Sequence, residues 1–172
     1  MYSKILVPID GSKPADNALD HAINLIKSVS NTNNNVTKTR LIILYVISDL
    51  PIPLGFEKPM LSLKTGRTVS LSNYVKEMHE AMKSNALQML SEKKKKYESD
   101  VSSIADIKTQ VVISSGLSIA DTIIDFANKE NPDLIVLGNV GLGGISKVKA
   151  LGSVSRTIVE RSACPILIVH YK

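Results

Sequence analysis

Aromatic residues are scarce in this 172-residue sequence, which has no tryptophan, two phenylalanines and five tyrosines. Surfaces that bind single-stranded nucleic acid are built largely on stacked aromatic side chains, so this scarcity argues against such a surface. The net charge is +5, but 21 basic residues are mixed with 16 acidic ones. The only basic run, four lysines at 93–96, is predicted to be a solvated helix face. We therefore expect no nucleic-acid partner.

Cysteine and long apolar runs are scarce as well. The single cysteine, Cys164, cannot form an internal disulfide and is predicted to pack beside Pro165 as a small apolar group. No apolar stretch is long enough to span a bilayer, and the N-terminal residues lead into a strand-like segment rather than a signal sequence. A cytoplasmic protein without membrane contact is the consistent expectation.

The apolar residues are arranged in an alternating pattern. Five strand-like apolar segments, near residues 3–9, 40–47, 107–113, 134–137 and 165–169, alternate with four segments that have helical periodicity. Strands that are apolar throughout are typical of a parallel sheet covered on both faces. The sequence therefore predicts one α/β domain over residues 1–172, with a doubly wound parallel sheet.

Two segments interrupt this simple pattern. Residues 51–69 contain three prolines and two glycines without periodicity, which predicts a long loop. The helix that follows, predicted from Ser70 to about Tyr97, places Met78, Met82 and Met89 on one stripe. Such a stripe is more typical of core packing than of a cofactor site.

The most informative segment is glycine-rich and lies between the fourth strand and the last helix. Gly138 and Gly141 follow the strand, and Gly152 precedes a helix predicted to be capped by Ser153. Glycines let the backbone approach a ligand closely, and a helix N-terminus offers N–H groups to an anion. If the first and fourth strands are neighbours, Asp10 flanks the same crevice. The pattern predicts a phosphate cradle and hence a nucleotide.

Patterns of known catalytic sites are missing. No Gly-Lys-Ser/Thr triplet stands at the spacing of a Walker phosphate loop, and no Gly-x-Ser-x-Gly elbow or carboxylate pair occurs. His21, His79 and His170 have no second ligand at zinc spacing. The sequence favours a binding protein with no catalytic residues and no metal site, with slow ATP hydrolysis as the alternative.

These residues together resemble the universal stress proteins over nearly the whole chain. The matching segments, in order, are Ile5-Leu-Val-Pro-Ile-Asp10-Gly-Ser12, Val46, Gly116, Gly138-x-x-Gly141, Gly152-Ser153 and Cys164-Pro165. The resemblance implies a Rossmann-like sheet of the adenine nucleotide alpha hydrolase type, with strand order 3-2-1-4-5. It also implies a homodimer paired through the last strand, which binds ATP or AMP and regulates a stress response through an unknown protein partner.

Carried over position by position, the resemblance also implies a binding site. Pro8, Ile9 and Val46 would surround the adenine, and Asp10 would lie by the ribose and phosphates, near any phosphate-bound magnesium. Gly138 and Gly141 would pass close to ribose and phosphate, while the start of the last helix would bind phosphate oxygens. The complete predicted site consists of Pro8, Ile9, Asp10, Ser12, Val46, Leu137, Gly138, Asn139, Gly141, Gly152, Ser153, Val154 and Ser155.

One feature departs from the family pattern. Ten residues, 142–151, separate the second and third glycines, where the family has nine. The extra residue either forms a bulge away from the phosphates or changes the direction of the loop. The sequence does not decide between these, so the residues that contact the β- and γ-phosphates are not assigned. Lys147, Lys149 and Arg156 face either phosphate or water. The Gly-Asn-Val-Gly-Leu start also resembles family members that prefer cyclic AMP, so a monophosphate is an alternative ligand.

Overall fold

The computed structural model describes residues 2–30, 37–49, 58–142 and 151–170. The Asn-rich turn, the residues at 50–57 and most of the ten-residue spacing, including Lys147 and Lys149, lie outside these ranges. The elements in chain order are β1 (Lys4–Ile9), α1 (Lys13–Ser30), β2 (Thr39–Ile47), β3 (Met60–Leu61), β4 (Thr68–Val69), α2 (Leu71–Val101), β5 (Ala105–Ile113), α3 (Ile119–Glu130), β6 (Leu134–Gly138), α4 (Ser153–Arg161) and β7 (Ile166–Val169).

Five of the strands form one parallel sheet in the order β5-β2-β1-β6-β7. Numbered among the five sheet strands alone, this is the predicted order 3-2-1-4-5. Helices α1 and α2 pack on one face of the sheet, and α3 and α4 pack on the other. Because both faces are covered, β1 is apolar from Ile5 onward and β6 is apolar throughout. The predicted doubly wound α/β fold is confirmed.

Serine caps set the starts of three helices. The Ser12 hydroxyl accepts from Ala15 N at 3.3 Å at the start of α1, and the Ser70 hydroxyl accepts from Asn73 N at 3.3 Å at the start of α2. The capping box predicted for α3 is present, since the Ser118 hydroxyl accepts from Asp121 N at 3.0 Å. The same hydroxyl donates to the Asp121 carboxylate at 2.7 Å and thereby lowers its pKa.

The segment predicted to be a loop contains a hairpin. Strands β3 and β4 pair antiparallel, and the hairpin is held on the first turns of α2. Glu77 accepts from the Ser62 hydroxyl at 2.8 Å and from Leu63 N at 2.7 Å, and Lys64 pairs with Glu80 at 2.5 Å. The loop prediction is therefore wrong for Met60–Leu61 and Thr68–Val69, because side chains on α2 stabilise a pair of strands too short to show an alternating sequence pattern.

The lysine run is not simply solvated. Lys93 pairs with Asp16 and Lys96 with Asp20, so two of the four lysines hold α2 against α1. Lys96 also lies 4.5 Å from the ring centre of Tyr97, whose hydroxyl donates to Asp20. With the Lys94–Glu98 pair along α2, three of the four lysines are thus ion-paired within the fold. Across the described ranges, the model contains no helix with the length and apolar character needed to cross a membrane.

Candidate functional site: a cleft at the carboxyl edge of the sheet

A cleft of about 500 Å³ opens at the carboxyl ends of the parallel strands. The ladder between β1 and β6 covers Ile5↔Leu134 and Leu6↔Ile135 and ends short of the carboxyl ends of both strands. Here the chain crosses from one face of the sheet to the other, which is where doubly wound folds bind ligands. The cleft is lined by Pro8, Ile9, Asp10, Ala15, Leu44, Tyr45, Val46, Ile47, Ser48, Met82, Ile119, Ile123, Leu137, Gly138, Val140, Gly141, Leu142, Gly152, Ser153, Val154 and Ser155.

The structure brings the predicted residues together, with two exceptions. Ser12 and Asn139 are buried and do not line the cleft. Ser12 caps α1. The backbone of Asn139 joins neighbouring elements: its N–H donates to Val169 O at 3.0 Å, and its carbonyl accepts from Gly152 N at 2.8 Å. Both residues therefore hold the elements next to the cleft in place without lining it.

Asp10 links the first turn to the glycine-rich segment. One carboxylate oxygen accepts from Ser12 N at 2.9 Å, and the other accepts from Leu142 N at 2.9 Å. The turn itself is tight, because Gly11 has a φ of +85°, which favours glycine. The Asp10 side chain therefore holds the start of the glycine-rich segment against the end of β1.

Packing inside the protein requires glycine at position 138, and at position 141 a side chain would have to displace the Asp10 carboxylate. A Cβ on Gly138 would lie 2.8 Å from the carbonyl carbon and oxygen of Pro14, in the first turn of α1. A Cβ on Gly141 would lie 2.5 Å from the nearer carboxylate oxygen of Asp10. Both residues line the cleft as predicted, but the close approach that each one permits is to the protein's own chain.

The start of α4 presents three backbone N–H groups to the cleft. The helix begins at Ser153, one residue earlier than predicted, with Gly152 rather than Ser153 in the capping position. Arg156 N donates to Gly152 O at 2.9 Å and is the first amide of the helical ladder. The amides of the preceding residues have no acceptor within the helix by geometry. They belong to Ser153, Val154 and Ser155, which line the cleft.

The side chains at this helix start have other partners. The buried Ser155 hydroxyl donates to Gly138 O at 2.9 Å and so ties α4 to β6. Within the predicted phosphate contact at the helix start, the Ser155 amide is therefore the group left to bind phosphate. The Arg156 guanidinium donates to Leu151 O, two residues before the start of α4, at 3.5 Å.

The opposite end of the cleft is formed by the end of β2. Arg40 N donates to Ser3 O on the β1 side, whereas Ile47 O accepts from Ser114 N on the β5 side. Because backbone groups alternate sides along a strand, the Val46 carbonyl points to the β1 side. The β1–β2 register ends at Ile9↔Tyr45, so this carbonyl lies beyond the last pair.

Sequence reasoning missed several lining residues. Ile119 and Ile123 come from α3 and Met82 from α2, on opposite faces of the sheet. Their spacing marks an apolar helix face, but it does not distinguish positions that pack on the sheet from positions beyond its edge. Along the predicted stripe, Ala86 and Leu90 are in the core, whereas Met82 lines the cleft.

The described residues contain no group of three or more His, Cys, Asp or Glu side chains placed to hold a metal. His79 Nε2 lies 3.6 Å from Asp49 Oδ1.

Cys164 is half-buried as predicted, and its thiol donates to Pro132 O at 3.1 Å. Burial, and then the charge of Asp133, raises the pKa of this thiol, so at neutral pH it is protonated and weakly nucleophilic.

Comparison with known proteins identifies the family. The universal stress protein family model matches residues 1–170. The universal stress protein YxiE of Bacillus subtilis is 28% identical over 170 residues, covering 99% of this chain and all of YxiE. The structure of universal stress protein UspA from Lactobacillus plantarum superposes with a TM-score of 0.72 at 23% identity, covering 98% of this chain and 97% of that one. A universal stress protein solved in complex with cAMP gives a TM-score of 0.58 at 24% identity, covering 98% and 97%. The chain belongs to the universal stress protein family.

Proposed function

We propose that this protein is a homodimeric binder of adenine nucleotides, ATP or AMP, and that it regulates a stress response through the occupancy of the cleft. The observation that carries the proposal is the pairing of two features in one cleft. An apolar slot with a backbone acceptor lies at one end, and the amides of a helix N-terminus lie at the other. A nucleotide has the same two-part chemistry, with a flat base and an anionic tail.

The β2 end suits adenine better than guanine. Pro8 and Val46 supply apolar contacts to a base, and the Val46 carbonyl beyond the β1–β2 ladder is an acceptor. Adenine carries an amino donor where guanine carries a carbonyl acceptor, so a backbone carbonyl at that position favours adenine. A mismatch would leave two acceptors facing each other.

The α4 end suits phosphate. Its free amides and the helix dipole attract an anion. Asp10 is a carboxylate in the same cleft, but both of its oxygens already accept backbone N–H groups. We therefore assign Asp10 to holding Leu142 in place rather than to binding phosphate, and its remaining lone pairs leave it able to ligate a phosphate-bound magnesium ion.

Calorimetry with ATP, AMP, cyclic AMP, adenosine and GTP tests the ligand. We expect adenine nucleotides to bind with micromolar dissociation constants, tighter than adenosine because of the α4 amides, and GTP to bind at least roughly tenfold more weakly. Equal or tighter binding of GTP would contradict the adenine assignment. Stronger binding of cyclic AMP than of ATP would make the monophosphate the ligand, as in the family member solved with cAMP.

The alternative is slow ATP hydrolysis in the same cleft. Among the described lining residues only Asp10 and Tyr45 carry titratable side chains, and Asp10 is engaged with the backbone. The cleft thus has no evident general base, which favours binding without turnover. Single-turnover mixing with labelled ATP distinguishes the two, since a binder returns the ATP intact.

The dimer is proposed to form through β7. This strand is one edge of the sheet, and its Leu167 side chain is 38% exposed. An apolar edge strand favours pairing with another strand. We expect Leu167→Lys to convert a dimer into a monomer by analytical ultracentrifugation. Leu63→Lys, at a 56% exposed site on the hairpin, is the matched control and should leave the dimer intact. A wild-type monomer at high micromolar concentration would exclude the proposed dimer.

A further inference from the structure

We propose that Met82 is a modification site: oxidation of its thioether by a peroxide weakens nucleotide binding in the cleft. The proposal rests on the proposed function, because the cleft that Met82 lines is the one assigned to the nucleotide. It concerns a residue outside the glycine-rich segment, on a helix that the sequence pattern assigned to the core.

The path of α2 places Met82 at the cleft. Gly11 follows Asp10, just beyond the end of β1. A Cβ built on Gly11 would lie 3.5 Å from the sulfur of Met89, so this part of α2 lies at the carboxyl end of β1. Met82 precedes Met89 by two helical turns, roughly 10 Å at 1.5 Å per residue. One turn before Met82, His79 Nε2 lies 3.6 Å from the carboxylate of Asp49, which follows the end of β2. The first third of α2 therefore extends past the carboxyl edge of the sheet and walls the cleft on that side.

The chemistry around Met82 is apolar. It shares the cleft with Val46 and Ile47 from β2, and with Ile119 and Ile123 from α3 on the other side of the sheet. A thioether is well suited to such a wall, because it is apolar, flexible and polarisable, and it packs well against an aromatic ring. A sulfoxide is larger and polar, so placing it in a mostly apolar cleft, where Tyr45 is the lining residue with a hydroxyl on the α2 face of the sheet, costs free energy.

The helix is held on both sides of Met82, so it cannot simply swing away from the cleft. On the N-terminal side Glu77 binds the hairpin through the Ser62 hydroxyl and Leu63 N. On the C-terminal side Lys93 pairs with Asp16 of α1. Because the helix is held in place, we infer that the larger, polar sulfoxide takes up space in the cleft that Met82 lines.

The reaction is a two-electron oxygen transfer. The Met82 sulfur attacks one oxygen of a hydroperoxide, the O–O bond breaks, and an S=O bond forms. The departing oxygen takes the proton and leaves as water when the oxidant is hydrogen peroxide, so the sulfur is oxidised and the peroxide reduced. Met82 is half-buried and lines an open cleft, which gives the oxidant access. Methionine sulfoxide reductases reverse the change.

Other methionines provide the controls. Met60, Met78 and Met89 are half-buried like Met82, and none of them lines the cleft. Met78 lies one turn from Met82 on the same helix, so Met78→Leu is matched to Met82→Leu in chemistry and location. Leucine conserves the volume of methionine and cannot be oxidised, so both variants should fold, and the affinity of each variant after oxidation is compared with its own affinity before oxidation.

The test is calorimetry with ATP and adenosine before and after hydrogen peroxide, with sulfoxide at each methionine measured by peptide mass spectrometry. We expect oxidation to weaken both ligands roughly tenfold in the wild type and in Met78→Leu, as for an unpaired polar group placed in apolar surroundings. Met82→Leu should keep its affinity. Equal losses in Met82→Leu, or full affinity in wild type oxidised at Met82, would overturn the proposal. If the unoxidised wild type binds no nucleotide, the proposed function itself fails, which is a separate result.

Discussion

Replacing Gly138 with alanine is expected to destabilise the fold by about 1–3 kcal/mol, as is typical when an atom is forced into a packed interior. The added Cβ would lie 2.8 Å from the carbonyl carbon and oxygen of Pro14 and 3.1 Å from Ala15 N. These are backbone atoms in the first turn of α1, so no side chain can rotate away to make room. The helix start would have to move away from the carboxyl end of β6.

Urea denaturation measures this loss as a lower free energy of unfolding, and the matched control is Gly152→Ala. A Cβ on Gly152 would meet Val140 Cα at 3.4 Å, which is ordinary contact, and the φ of −62° suits any residue. Because alanine is a poorer capping residue than glycine, we expect the control to lose up to about 1 kcal/mol, less than Gly138→Ala. If the two variants unfold alike, the close packing of Gly138 on α1 does not hold in solution.

The sequence predicts the sheet well because burial on both faces requires apolar residues along the strands. Strands β1 and β6 are covered on both faces, so their apolar runs stand out without any knowledge of their neighbours. The hairpin β3–β4 leaves no such signal. Each of its strands has two residues, and the interactions that hold it come from Glu77 and Glu80 on α2. Its stability depends on partners distant in sequence, which local patterns do not report.

The glycines show the same limit within the site. Their positions indicate a place where the chain passes close to something, and the sequence does not say to what. For Gly138 the close neighbour is Pro14, and for Gly141 it is the Asp10 carboxylate. Likewise Ser155 was a reasonable phosphate ligand by its position, but its hydroxyl faces Gly138 O. The sequence predicts where the cleft lies, whereas the contacts of each side chain depend on tertiary neighbours.

Replacing Ser153 with proline is expected to weaken ATP binding by roughly tenfold or more while leaving adenosine binding unchanged. Proline has no N–H, so the variant removes one of the amides that α4 presents to the cleft. A hydrogen bond to a charged group contributes about 1.5–3 kcal/mol, and 1.4 kcal/mol corresponds to a factor of ten in affinity. The nucleoside end of the cleft, at Pro8 and Val46, is untouched.

The backbone accepts this proline without strain. Ser153 is the first residue of α4, the helical position where proline is favoured because its missing N–H has no helical partner. A residue before proline must be extended, and Gly152 already has φ −62° and ψ 162°. Loss of ATP affinity in Ser153→Pro would therefore report on the ligand contact rather than on unfolding, and circular dichroism checks that the fold is retained.

The control is Ser153→Ala, which removes the hydroxyl and keeps the amide. If the amide binds phosphate, calorimetry should show near wild-type ATP affinity for Ser153→Ala and the full loss only for Ser153→Pro. Equal losses in both variants would assign the contact to the hydroxyl. If Ser153→Pro binds ATP as tightly as the wild type, the Ser153 amide does not bind phosphate, and any phosphate contact at the start of α4 is left to the amides of Val154 and Ser155.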